Sequence, residues 1–203
     1  MQLGASRLDT RSTLALVADW LEGMPYAVAG TAALAHWNLS GHAPSVVDIL
    51  VARQKRAVEY RGIRFVFHLT DPALFDDSGA VLTMKIEGAR VPLRIVGPER
   101  ALLDAARGVH ALPLGVIADA FDRGLRFGSF NRRRLVAQAR RDPVAARRIG
   151  WLAEQRHEPL ADALASLVGR GGYVLLDPRG PADAPFNRRW RVTENATYDD
   201  LLG

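Results

Sequence analysis

The stretch Tyr26–Val51, YAVAGTAALAHWNLSGHAPSVVDILV, decides the fold. Tyr26-Ala27-Val28-Ala29 reads as a short buried strand and Gly30-Thr31 as a turn. Ala32-Ala33-Leu34-Ala35 is the body of a helix, because alanine and leucine lead the helix-propensity scale. Thr31 is placed to cap that helix with its hydroxyl. Val46–Val51, VVDILV, is β-branched and aliphatic and reads as a central strand. It carries one acid, Asp48. A carboxylate among aliphatic neighbours needs a partner, since an unpaired buried charge is costly. The free amides opening the Thr31 helix, or an arginine, are the expected partners.

This order of strand, glycine turn, helix, loop and strand resembles the core of the nucleotidyltransferase fold. In that family a Gly-Ser or Gly-Gly pair at a helix start holds triphosphate on backbone amides. An Asp-x-Asp or Asp-x-Glu on the next strand holds magnesium. Gly30 and Thr31 match the pair and Asp48 the first acid, but Leu50 stands where the second acid belongs. The spacing from Thr31 to Asp48 is also longer than usual. The resemblance therefore implies the scaffold without the chemistry: a degenerate motif, no catalysis, and neither metal nor cofactor.

Working outward, a chain of 203 residues can bury a sizeable core as one domain or two small ones. With no cysteine there is no disulfide framework, thiolate metal site or cysteine nucleophile. No apolar run is long enough to cross a bilayer, and the opening residues lack a signal-peptide pattern. A cytoplasmic location away from membranes is the resulting expectation. The net charge of +5 comes almost entirely from arginine, Lys55 and Lys85 being the only lysines. Such an excess suits nucleic acid or an acidic partner; arginine and alanine richness is equally what a GC-rich coding sequence produces.

The remaining segments give an α/β (α+β) architecture. Ser6 to Glu22 is a predicted helix, capped by Asp9 or Thr10 and ended by Gly23, with Leu14, Leu16, Val17 and Trp20 as its apolar stripe. Gly62–His68 is a strand. Val81–Glu87 and Val91–Val96 form a hairpin around Gly88-Ala89, with Arg94 facing solvent. The result is a mixed sheet of about five strands over residues 1–96.

Residues 97–203 read as a helical half. Pro98 sits in the first turn of a helix through Arg107, with Leu102, Leu103 and Ala106 toward the sheet. Further helices are predicted at Pro113–Phe121, from Asn131, from Asp142-Pro143 to about Gln155, and at Pro159–Val168. Gly169–Gly172, GRGG, precedes a strand and so is a turn, not a phosphate loop. Tyr173–Leu176 and Trp190–Thr193 are expected to pair as a small closing hairpin, followed by a loosely held tail.

Histidines 36, 42, 68, 110 and 157 lack metal-ligand spacing and read as isolated, and no GxSxG elbow occurs. The arginines are more suggestive. Arg132-Arg133-Arg134, Arg140-Arg141 and Arg147-Arg148 recur at about seven residues, which on a helix places them on one face. Pro143 bends that stripe. It is either a solvated face or a surface for phosphates or an acidic partner.

Several segments together resemble the AbiEi-type antitoxin family of type IV toxin–antitoxin and abortive-infection systems. YAVAGTAALAHWNL is similar to the opening of that family's nucleotidyltransferase-like region. RIVGPERALLDAA is similar to its strand-to-helix junction through Pro98, Glu99, Arg100, Leu102, Leu103 and Asp104. RRIGWLAEQ resembles a later helix, with Arg148, Gly150 and Leu152. YVLLDPRGP and NRRWRVTEN resemble the closing hairpin, with Leu176, Asp177, Pro178, Asn187, Trp190 and Asn195. The resemblance spans about Pro25 to Asn195. It implies a non-catalytic antitoxin, acting in phage defence against a nucleotidyltransferase-type toxin encoded alongside, with or without a stable complex. Many members also carry an N-terminal winged helix-turn-helix that binds the promoter; residues 1 to about 22 are too short for it, so promoter binding by that module is not expected. The alternatives are an active nucleotidyltransferase with an atypical metal site, and a transcriptional regulator binding DNA or RNA through the arginine-rich face.

Overall fold

The computed structural model describes residues 9–41, 43–108, 112–198 and 201. The expected start of the first helix at Ser6, the readings of His42 and His110, and part of the tail lie outside them. The chain divides into two compact units, the first ending at Gly97 and the second beginning at Pro98. The described residues form an α+β structure with a six-stranded mixed sheet and a small three-stranded one.

In the first unit, α1 (Thr10–Trp20) opens on Asp9, whose side chain accepts the Ser12 amide. β1 (Tyr26–Ala29) runs directly into α2 (Gly30–His36), and β2 (Val46–Val51) follows. β3 (Val58–Tyr60), β4 (Ile63–Leu69), a 3-10 turn (Pro72–Asp76), β5 (Val81–Met84) and β6 (Leu93–Val96) complete the unit. The strand order is β3-β4-β2-β1-β6-β5. β2 pairs with β4 and β1 with β6 in parallel; the other neighbours are antiparallel.

Register sorts the sheet into two faces, because side chains alternate along a strand. Val28, Ile49, Phe67 and Ile95 share one face and are buried. α1 and α2 cover it: Trp20 meets Phe65 and Phe67 edge-on, and His36 Nε2 lies 3.2 Å from Met84 Sδ. Asp48, Leu50, Val66, His68, Arg94 and Val96 belong to the other face.

Several expectations change. The sheet has six strands, not about five: β3 is only three residues long and wholly exposed, too short to show an alternating pattern. Thr31 does not cap its helix. Ala29 is the N-cap without a side-chain bond, and the Thr31 hydroxyl donates instead to the Val46 carbonyl, tying the helix start to β2. Arg94 does not face solvent; its guanidinium donates to the Phe75 carbonyl at 2.6 Å and lies over the Phe75 ring. Trp20, expected in the apolar stripe, is 42% exposed.

The second unit holds α3 (Pro98–Arg107), α4 (Leu114–Phe127), α5 (Arg132–Ala139), α6 (Pro143–Arg156) and α7 (Glu158–Ala165). Asn131 and Asp142 cap α5 and α6, accepting the amides of Arg134 and Ala145. α3 packs on α4, α5 and α6 within this unit. The small sheet contains β7 (Val174–Leu175), β8 (Phe186–Asn187) and β9 (Val192–Thr193) in the order β7-β9-β8. β8 and β9 are the antiparallel pair. The 173–176 segment, expected to form the hairpin with 190–193, joins β9 in parallel instead, because the long intervening loop lets the chain return in the same direction.

Candidate functional site

The Gly30–Asp48 region is built by backbone proximity. Gly30 has φ +59°, and a Cβ there would lie 2.2 Å from Asp48 Oδ2. Only glycine leaves room for the carboxylate and adopts that angle without strain. Asp48 is buried, and its Oδ1 is 2.7 Å from His68 Nε2. An ionised carboxylate only accepts, so Nε2 is the donor. His68 lies on β4 in register with Leu50 of β2, two pairs along from Asp48 and Val66 and so on the same face. The sequence reading missed this partner and took His68 as an isolated histidine. Its one signal was its place in the alternation Arg64, Val66, His68; nothing local links it to an acid twenty positions earlier.

The nucleotidyltransferase resemblance implies magnesium, and these residues do not fit it. Two-metal transfer needs carboxylates that clamp both ions. Asp48 is the single acid, it is already engaged by His68, and the neighbouring position on that face is the buried Leu50. Among the described residues no group of three or more His, Asp or Glu side chains could hold a metal ion.

The arginine stripe divides in two. Arg132, Arg133, Arg134, Arg140 and Arg141 are exposed on α5 and the turn after it. Arg132 and Arg133 line two hollows of about 410 Å³ each, one with Val136, His157, Pro159 and Leu160, the other with Leu125 and Phe130. Arg147 and Arg148, expected on the same face, are instead buried, at 4% and 5% exposure. Arg147 donates to the Gly172 carbonyl at 2.6 Å. Arg148 donates to the carbonyls of Ala106 and Arg107 in the last turn of α3, at 2.6 and 3.1 Å, and to Leu175 at 3.0 Å. A helix leaves its last carbonyls without partners, and a guanidinium satisfies several at once. Seven-residue spacing did not keep these two with the others because Pro143 starts a new helix whose inward side carries them. Burial lowers the pKa of both.

The other segments singled out in the sequence are architectural. A Cβ at Gly150 would lie 1.9 Å from the ring of Trp190, which is fully buried and donates through Nε1 to Glu154. Trp151 Nε1 and Asn187 Nδ2 both donate to Glu194 Oε1. Asn195 clasps the Asp177 loop, accepting the Asp177 amide and donating to the carbonyls of Asp177 and Pro181. Glu99 Oε1 accepts the Asn131 amide at 2.7 Å and so joins α3 to the start of α5. Tyr198 donates to Asp122 under the Arg156 guanidinium; burial, with the Asp122 hydrogen bond, pushes its phenol up to about 12.

Fold and site thus define an α+β protein whose β2 motif keeps one carboxylate, engaged by a histidine, and whose α5 helix exposes arginines. No family model matches the chain, and no curated protein matches it. Among solved structures it is similar to the crystal structure of the RV2827C protein from Mycobacterium tuberculosis, with a TM-score of 0.55 and 16% identity. The match covers 87% of this chain and 64% of that one, and it is a likeness of fold.

Proposed function

We propose that this chain is a non-catalytic antitoxin or defence-associated regulator of the type IV kind, acting in the cytoplasm against a nucleotidyltransferase-type toxin encoded beside it. The observation that carries the reading is the state of the motif on β2: Asp48 is held by His68, and Leu50 fills the second acid's place. A transferase-like scaffold without its acid pair is suited to binding, though a fold alone never fixes function. The test is co-expression with the neighbouring toxin. The wild-type chain restores growth, and Asp48→Ala restores it equally if the chain still folds. Purified protein with magnesium or manganese transfers no labelled nucleotide to RNA or protein. Failure of rescue counts against the antitoxin role; transfer abolished by Asp48→Ala establishes the active-enzyme alternative instead.

A second reading, a regulator that binds DNA or RNA, is favoured by the five exposed arginines from Arg132 to Arg141. Arg147 and Arg148 have no part in that surface.

A further inference from the structure

The sheet edge formed by β3 carries a feature unrelated to the motif on β2. Val58 and Tyr60 pair with Phe65 and Ile63, so they stand on the helix-covered face. Beside them lie Trp20 and Leu16 of α1. With Phe65 these residues line a groove of about 280 Å³. Trp20, Val58 and Tyr60 are 42%, 41% and 45% exposed, whereas Phe65 is the buried floor and Phe67 is buried against Trp20 beside it. Three large apolar side chains exposed together at one place mark an interaction site more strongly than the same residues scattered.

The rim is basic. Lys55 Nζ lies 5.9 Å from the Phe67 ring centre and the Arg61 guanidinium 5.4 Å from that of Tyr60. Arg53 and Arg56 are exposed in the same β2–β3 loop. Glu59, the one acid from Ala52 to Arg64, pairs with Arg64 in the β3–β4 register and therefore points to the opposite face. None of Arg53, Lys55, Arg56 and Arg61 makes an ion pair among the described residues.

Volume and charge select the ligand. The groove falls just below the ~300 Å³ at which pockets for whole small ligands begin, so it takes a flat ring. The surrounding cations call for a polyanion. Exposed aromatic rings beside a basic track are the arrangement that holds unpaired bases by stacking and their phosphates by charge. A duplex offers no free base face to Trp20 or Tyr60. An acidic peptide would use the cations and leave the rings idle.

We propose that the face formed by Trp20, Tyr60 and Phe65, flanked by Lys55 and Arg61, binds a single nucleic-acid strand. The inference is independent of the antitoxin reading and of the α5 arginines.

The experiment titrates the full chain with oligo(dT), oligo(U), a duplex of equal length and poly-glutamate, following tryptophan fluorescence and the anisotropy of labelled oligomers. Trp20 is the one exposed tryptophan among the described residues, so stacking on it quenches the signal. Single strands bind and quench. Tyr60→Leu weakens binding about ten-fold, in the range of one lost stacking partner, whereas Tyr60→Phe keeps it. Lys55→Ala with Arg61→Ala weakens binding and lowers its salt dependence. Arg170→Ala with Arg188→Ala, exposed positions outside this face, leaves single-strand binding unchanged, which separates this face from general positive charge. Circular dichroism checks that each variant folds, and Tyr60→Leu, at an exposed site, serves if Trp20→Leu does not. Any of four results overturns the proposal: no single-strand binding at low salt, equal affinity for the duplex, equal affinity for poly-glutamate, or Tyr60→Leu binding like wild type.

Discussion

Two single residues show how tightly local chemistry is set. Gly150 has no steric alternative, since a Cβ there would lie 1.9 Å from a fully buried ring. Gly150→Ala must displace Trp190 and strain its bond to Glu154. Overpacking of this kind costs about 1–3 kcal/mol, and a chemical-denaturation midpoint reads it directly; an unchanged midpoint would show that the ring yields freely. His36 gives the pH dependence. Its half-buried ring has a pKa lowered from the ordinary 6.5, by desolvation. The unfolded chain therefore takes up a proton at a higher pH than the folded one. Stability from neutral His36 is complete above 6.5 and is lost as pH falls toward the folded-state value. Urea midpoints measured from neutrality to about pH 5 fall less steeply for His36→Leu than for the wild type. Parallel slopes for the two would remove His36 as a source of acid sensitivity.

At the scale of elements, α5 and α6 carry similar arginines with opposite roles. α5 is a short polar helix with Leu135 and Ala139 buried, so its arginines project outward. α6 is buried along most of its length, and Arg148 reaches the end of α3 and the β7 backbone. Arg148→Met keeps the aliphatic stem and removes the donors, leaving carbonyls that cost about 1–3 kcal/mol to leave unmade. Arg140→Met, at an exposed position, changes stability by less than about 0.5 kcal/mol. Thermal melts of the two variants side by side measure the contrast. Equal melting temperatures would mean that water replaces the guanidinium at the end of α3.

Across the whole molecule, 27 lysines and arginines face 22 acids, a modest excess whose effect depends on where it is concentrated. Arg132, Arg133, Arg134, Arg140 and Arg141 give α5 and its following turn a local field. If that surface contacts duplex DNA, log K falls with log salt at a slope of about 0.9 per phosphate engaged. Arg133→Ala with Arg140→Ala then lowers the slope by about 2, whatever the DNA sequence. Binding measured over a salt series checks this, and a slope that does not move shows the α5 arginines to be solvated only.

The sequence by itself determined the elements whose signals are local. β1 and β2 lie where the aliphatic runs place them, α3 spans the expected residues, Asp142 caps α6, and Asp9, one of the two residues expected to do so, caps α1. Propensity, capping and hydrophobic period act over a few residues and can be read there. The need of Asp48 for a partner was legible for the same reason, since burial of a lone acid in VVDILV is a local fact. Only the tertiary structure decided which partner it has. His68 reaches Asp48 through the parallel pairing of β2 with β4, and no periodicity encodes strand pairing across that distance. The same holds for Arg147 and Arg148, whose spacing matched Arg133 and Arg140 until a new helix turned them inward onto backbone carbonyls. β3, exposed and three residues long, owes its existence to the β4 edge, and the direction of β7 is set by its contact with β9. In each case a long-range contact supplied the free energy that assigned the residue its role, and that contact exists only once the chain has folded.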